Sequence, residues 1–116
     1  MSITLYGIPN CDTVKKARSW LADRGIEYAF HDYKKQGADP RKIADWVDQA
    51  GLDRVLNKVG LTYRKLPDAV KAGMEGQGAI QQMAANPSMI KRPIVEYDKG
   101  LLVGFKPENW EAAFDK

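Results

Sequence analysis

The first third of the chain changes its hydrophobic period twice, and this change limits the fold more than any other feature of the sequence. Residues 3–6 (ITLY) form a strand pattern that ends at Gly7. From Asp12 the apolar residues fall at helical spacing, and Gly25 is a typical helix stop. An aromatic strand pattern follows over residues 27–33. Two strands joined by one short helix predict a parallel, right-handed β-α-β unit.

The rest of the chain is predicted to contain a helical section, a hairpin and a last helix. Residues 94–97 and 101–103 are strand patterns separated by a turn, which indicates an antiparallel pair. Pro107 opens the last helix. The sequence therefore predicts a single α/β domain over residues 1–116, with a four-stranded mixed sheet and a helical insertion at about 39–87. Within the insertion we expect short helical segments near 55–59, 66–72 and 78–85.

Composition narrows the class of protein. With 116 residues, 44% hydrophobic and 28% charged, the chain matches an ordinary globular domain. No apolar run approaches the roughly 20 residues of a membrane helix, and the first residues lack a signal-peptide pattern. The net charge of +3 is spread over separated basic pairs, so we expect no nucleic-acid partner. We expect a cytoplasmic monomer, because one cysteine forms no internal disulfide and heptads are absent.

The only cysteine, Cys11, stands between the first strand and the first helix. A lone cysteine is often a small buried hydrophobic residue. Here the thiol would sit at a helix N-terminus, where amide groups and the helix dipole favour the thiolate. Asn10 and Thr13 flank it, and Thr13 offers a hydroxyl or amide toward the sulfur. Lys15 adds positive potential if it faces the site, or is a solvated helix residue if it does not.

Chemistry at Cys11 has to use an external thiol. The position three residues later is Val14, so a two-cysteine internal disulfide cycle is excluded. Glutathione is the candidate co-substrate, and no permanently bound cofactor is expected. A single His31 and a single cysteine do not form a typical zinc site. Arg92-Pro93 precedes a strand, and its peptide bond could be cis. The guanidinium group of Arg92 either binds an anion or is a solvated surface group.

Four segments carry a family resemblance that spans nearly the whole chain. The sequence resembles the arsenate-reductase-like (ArsC/Spx) family and, within it, the small YffB-type proteins. The matching segments are Tyr6-Gly7-Ile8-Pro9-Asn10-Cys11-Asp12-Thr13, Asp32-Tyr33-Lys34-Lys35, Tyr63-Arg64-Lys65-Leu66 and Lys91-Arg92-Pro93-Ile94-Val95.

The resemblance implies a thioredoxin-like fold with an inserted helical subdomain. It also implies that Cys11 is the redox nucleophile and that Arg92 occupies the oxyanion- or glutathione-binding position. Glutathione-linked arsenate reductases have a histidine where Gly7 stands and two more arginines in the anion site. One of these arginines stands where this chain has Lys106, and the other falls near Asn57 and Lys58. Spx-type regulators often have a second cysteine where this chain has Val14.

These departures favour a glutathione-dependent thiol reductase that acts on an oxidised thiol. A glutathione-coupled arsenate reductase, which would take a small oxyanion, is one alternative. A non-enzymatic Spx-like regulator that binds RNA polymerase or another protein is the other. The expected catalytic residue is Cys11, and the expected substrate- or glutathione-binding residues are Asn10, Thr13, Lys15, Arg92, Pro93 and Lys106.

Overall fold

The computed structural model describes residues 3–58 and 60–114, and the chain divides into two units. The first unit comprises the chain up to Gln36 and from Arg92 onward, and the second comprises Gly37–Lys91. In chain order the elements are β1 (Thr4–Gly7), α1 (Asp12–Asp23), β2 (Ala29–Asp32), α2 (Tyr33–Gln36), α3 (Pro40–Ala50), α4 (Leu52–Val55), α5 (Leu61–Arg64), α6 (Asp68–Ala72), α7 (Gly76–Ala85), a 3₁₀ turn (Pro87–Met89), β3 (Ile94–Tyr97), β4 (Gly100–Val103) and α8 (Pro107–Phe114).

The first unit is built on a four-stranded sheet with the order β2-β1-β3-β4. β1 pairs with β2 in parallel, and β3 runs antiparallel to both β1 and β4. The parallel pair results from the α1 crossover, and the short turn between β3 and β4 produces the hairpin. The predicted mixed sheet is therefore confirmed.

One face of this sheet packs against α1 and α8. Leu5 and Val95 on neighbouring strands are fully buried in one cluster with Leu21 of α1. Trp20 and Trp110 meet edge to face in the same cluster, with ring centroids 5.6 Å apart. Because strand side chains alternate between faces, Leu5 faces this core while its neighbour Tyr6 faces the other side.

The ends of α1 and β2 follow from local hydrogen bonding. α1 stops before Gly25, whose φ of +66° suits glycine and whose N–H donates to the Ala22 carbonyl at 3.1 Å. The strand predicted over residues 27–33 is shorter than expected. The Asp32 carboxylate accepts the N–H of Lys34 at 2.9 Å, which starts a helical turn and ends β2.

The second unit contains the helices α3 to α7. Asp39 caps α3 by accepting the N–H of Arg41 at 2.9 Å, and α3 packs against α4 and α7. The helical turn expected near 55–59 is wrong, because α4 ends at Val55 and the chain then becomes extended. Leu56 forms an antiparallel bridge with Ile90 instead. Val59 lies outside the described residues.

Two further findings concern the whole described part of the chain. None of its helices has the length and apolar character needed to cross a membrane. Within residues 3–58 and 60–114, no group of three His, Cys, Asp or Glu side chains is arranged to hold a metal ion.

Candidate active site

Four chain segments of the first unit meet at one edge of the sheet. β1 and β2 are parallel, so both end at this edge, with Gly7 opposite Asp32. β3 is antiparallel to β1, so the segment just before Ile94 lies at the same edge. β4 ends there as well, and the N–H of Gly104 donates to the Pro93 carbonyl at 2.8 Å. The topology thus collects the Cys11 loop, the Arg92-Pro93 segment and the chain after β4.

Cys11 is the N-cap residue of α1. Its backbone is extended (φ −88°, ψ 127°), and its N–H donates to the Ile8 carbonyl at 3.2 Å to close the loop after β1. Its carbonyl accepts the N–H of Lys15 at 2.9 Å, which is the first hydrogen bond of the helix. Its side chain makes no capping hydrogen bond to any described residue and is half-buried at the margin of the core cluster. The first-turn amides of α1, which have no acceptor within the helix, therefore follow directly after the residue that carries the thiol.

Gly7 brings the end of β1 into direct contact with the first turn of α1. A Cβ placed on Gly7 would lie 2.8 Å from Cγ2 and 3.3 Å from Cγ1 of Val14. Val14 is fully buried, so it has little room to move. The valine three residues after Cys11 thus explains, through this contact, why a glycine stands at the end of β1.

Arg92 and Pro93 lie immediately before β3. Their peptide bond is cis, in agreement with the sequence-based expectation. Pro93 is buried and Arg92 is half-buried. Asn57 and Lys58, near which the other arginine of the arsenate reductases would fall, belong to the second unit.

The remaining predicted residues are exposed. Asn10 lies in the loop before Cys11, Thr13 lies in the first turn of α1, and Lys15 lies one turn further along. Lys106 follows Gly104 and directly precedes α8. In the described part of the chain no hydrogen bond joins the Thr13 hydroxyl to Cys11.

A buried aromatic cluster at the same edge was not predicted. Tyr33 packs against Tyr6 and His31, with ring centroids 6.3 Å and 5.6 Å away. The Tyr6 hydroxyl donates to the Glu96 carboxylate at 2.6 Å, whereas the buried Tyr33 hydroxyl has no hydrogen-bond partner among the described residues. Burial raises the pKa of Tyr33 well above its ordinary value, and Tyr6 and Glu96 raise it further against the opposing charge of Arg92. Tyr33 therefore stays a neutral hydroxyl near Arg92.

Together, these features define a class of protein. A parallel β-α-β unit is followed by an antiparallel hairpin and a helix, with a cysteine at the start of α1 and a cis-proline before β3. This is a thioredoxin-like α/β fold. A model of the ArsC family matches residues 6–113, so the chain belongs to the ArsC family. The predicted family and fold are confirmed.

Individual relatives agree with this assignment. An uncharacterized protein of Haemophilus influenzae is 45% identical over 112 residues, covering 97% of this chain and 98% of the relative. The solved structure of a YffB protein is 48% identical with a TM-score of 0.93, covering 97% of this chain and 98% of that one. An arsenate reductase (ArsC) related protein from Brucella melitensis is 49% identical with a TM-score of 0.76, covering 100% and 97%. The global transcriptional regulator Spx of Listeria innocua is 26% identical over 108 residues, covering 91% and 82%.

Proposed function

We propose that the protein is a glutathione-dependent thiol reductase that works with one cysteine through a mixed disulfide. The observation that carries this proposal is the place of Cys11, a half-buried free thiol at the N-terminus of α1. A thiolate is the attacking species in disulfide exchange, and a helix N-terminus stabilises that anion. The fold places the Arg92-Pro93 segment at the same edge of the sheet.

The reaction divides into two exchange steps. The Cys11 thiolate attacks the glutathione sulfur of a mixed disulfide R–S–S–G, the S–S bond breaks, and R–S⁻ leaves and takes a proton from water. The thiolate of a free glutathione then attacks the glutathione sulfur bound to Cys11. This step releases the Cys11 thiolate and forms oxidised glutathione. In total, R–S–S–G and one glutathione become R–SH and one oxidised glutathione.

The other residues of the edge bind the glutathione part of the substrate. Arg92 presents a planar fork that matches a carboxylate, and the Pro93 segment holds the peptide backbone of glutathione. Asn10 and Thr13 are exposed beside Cys11 and contact the same ligand. Lys15 and Lys106 supply positive charge around an anionic tripeptide.

The Gly7–Val14 contact supports an oxidised thiol over arsenate as the substrate. The histidine of the arsenate reductases would require a side chain at position 7, and Val14 Cγ2 lies 2.8 Å from where its Cβ would be. The arginine that precedes a proline in those enzymes is Lys106 here, and a lysine lacks the paired donors of a guanidinium. Both departures remove anion-binding groups that arsenate would need.

The proposal is tested by coupled turnover. The mixed disulfide of glutathione and 2-mercaptoethanol is supplied with reduced glutathione, glutathione reductase and NADPH, and NADPH consumption is followed. We expect turnover by the wild type and none above background by Cys11→Ser. Equal rates for the wild type and Cys11→Ser would overturn the proposal. Arsenate, supplied in place of the mixed disulfide, is expected to give no turnover.

One comparison favours a second candidate, a regulator that binds a protein partner such as RNA polymerase. The chain is similar to the Spx regulators over 91% of its length. A regulator of this kind would keep its cellular role in a Cys11→Ser strain, whereas a thiol reductase would lose it. The phenotype of that strain, measured against a deletion strain, separates the two candidates.

A further inference from the structure

A shallow, open groove of about 440 Å³ lies between α1 and the chain at Phe105 and Pro107 in the first unit. Its rim carries Lys15, Lys16 and Arg24, and its floor includes Trp20 and Phe105. Asp23 is the single acidic residue that lines it in the described part of the chain. The groove therefore combines an apolar floor with a rim of net positive charge.

The two lysines are free to bind a ligand. Lys15 and Lys16 are exposed, and neither has an ion-pair partner among residues 3–58 and 60–114. Arg24 forms an exposed ion pair with Glu111 at 3.2 Å, which contributes little to stability and exchanges readily with another carboxylate. Lys106, next to the floor residue Phe105, adds an exposed positive charge beside the groove.

The floor is closed to a stacking ligand. Trp20 is 8% exposed and packs edge to face against Phe105, with centroids 6.4 Å apart. The Arg24 guanidinium covers the indole ring at 3.9 Å from its centroid. Single-stranded nucleic acid binds by stacking its bases on open aromatic faces, and the indole of Trp20 does not offer one. The positive rim attracts any polyanion, and the covered indole of Trp20 favours an acidic polypeptide over a single-stranded nucleic acid.

The groove lies along the helix whose N-cap residue is Cys11, and its lining begins at Lys15. The N–H of Lys15 donates to the Cys11 carbonyl at 2.9 Å, so the rim begins one helical turn after the nucleophile. From Lys15 to Arg24 the helix advances by about 14 Å at 1.5 Å per residue. An extended peptide covers that length with about four residues.

We propose that this groove binds an acidic segment of a protein substrate whose oxidised cysteine reacts at Cys11. The inference deepens the proposed function and rests on it, since it takes the substrate thiol to belong to a polypeptide. In the first exchange step, R–S–S–G is then a glutathionylated cysteine, and the leaving R–S⁻ is the cysteine thiolate of the bound protein. Acidic side chains on about four neighbouring residues contact the lysines of the rim.

Binding is tested directly with fluorescein-labelled peptides of eight residues that lack cysteine, one with four glutamates and one with four lysines. Fluorescence anisotropy at low salt is expected to show binding of the acidic peptide alone. Lys16→Glu reverses one rim charge and is expected to weaken this binding about fivefold. Lys99→Glu makes the same charge change in the β3–β4 turn, at a residue that does not line the groove, and is expected to leave binding within twofold of the wild type.

Catalysis provides the second readout. Each peptide is also made with one glutathionylated cysteine at its end, and kcat/KM is compared with that for the small mixed disulfide. We expect about tenfold preference for the acidic peptide, a preference reduced by Lys16→Glu and retained in Lys99→Glu, with turnover of the small substrate unchanged in both. Each variant's circular dichroism spectrum and melting temperature are expected to match those of the wild type.

Three results would overturn the inference. They are equal binding of both peptides, equal effects of the two variants, and displacement of the acidic peptide by a single-stranded oligonucleotide that binds more tightly. Failure of the proposed function looks different, because the small mixed disulfide would then not be turned over at all. The anisotropy measurement tests the groove in either case, since it needs no reaction at Cys11.

Discussion

Gly7 and Val14 are packed so closely that a Cβ on Gly7 would lie 2.8 Å from Cγ2 of Val14. This contact joins the last residue of β1 to the first turn of the helix that carries Cys11. It sets where the thiol lies relative to the sheet edge, and it excludes larger residues from position 7.

We predict that Gly7→Ala lowers the free energy of unfolding by about 1–3 kcal/mol, because the methyl group overpacks a buried site. The backbone itself permits alanine, since Gly7 does not have a positive φ. Urea denaturation measures the change. The control is a double-mutant cycle with Val14→Ala, in which removal of the Cγ atoms makes room for the new methyl. Additive effects of the two substitutions would show that the Gly7–Val14 contact does not cause the loss of stability.

Tyr33→Phe is predicted to leave stability unchanged or to raise it by up to about 1 kcal/mol. The hydroxyl is buried without a hydrogen-bond partner among the described residues, so its removal loses none of the hydrogen bonds seen there and relieves a desolvation penalty. The matched control is Tyr6→Phe, which removes the 2.6 Å hydrogen bond to Glu96 and is expected to destabilise the fold. Thermal unfolding distinguishes the two variants. A larger loss of melting temperature for Tyr33→Phe than for Tyr6→Phe would contradict a buried Tyr33 hydroxyl without a hydrogen bond.

The raised pKa of Tyr33 also predicts a dependence of stability on pH. Above the ordinary tyrosine pKa of about 10, the unfolded chain loses this proton while the folded protein keeps it. Unfolding then releases a proton, so stability falls as the pH rises above about 10. Tyr33→Phe removes this contribution and is expected to lose stability less steeply between about pH 10 and 11. Parallel slopes for the wild type and the variant would be inconsistent with a buried, neutral hydroxyl.

Arg92→Lys is predicted to lower kcat/KM for the glutathione mixed disulfide by about tenfold. The charge is retained, but the two parallel donors that match a carboxylate are lost. Arg64→Lys, an exposed position in α5 of the second unit, is the matched control and is expected to have no effect. An unchanged rate for Arg92→Lys would remove this residue from the proposed binding site.

The strands and the position of Cys11 could be predicted because local sequence determines them. β3 has the bounds predicted for it, since a run of strand-forming residues lies between Pro93 and the turn at Asp98. The end of β2 could not be predicted from its aromatic pattern. There the Asp32 side chain competes for the backbone N–H of Lys34 and starts a helical turn.

Pairings between segments that are far apart in sequence could not be predicted from the hydrophobic periodicity. The Leu56–Ile90 bridge joins residues that are far apart in sequence, in segments without a strand pattern. The aromatic cluster could be predicted in part, because the alternation of side chains along β1 places Tyr6 on the face opposite Leu5. The unpartnered hydroxyl of Tyr33 depends on three-dimensional packing, and no sequence pattern indicates it.

In the proposed reaction Cys11 is a nucleophile that forms a mixed disulfide with glutathione. Its most direct test is intact-protein mass spectrometry after incubation with oxidised glutathione at neutral pH. We expect one adduct of glutathione mass on the wild type, located at Cys11 by peptide mapping and released by reduced glutathione. A wild type that stays unmodified, or an adduct that reduced glutathione does not release, would contradict it.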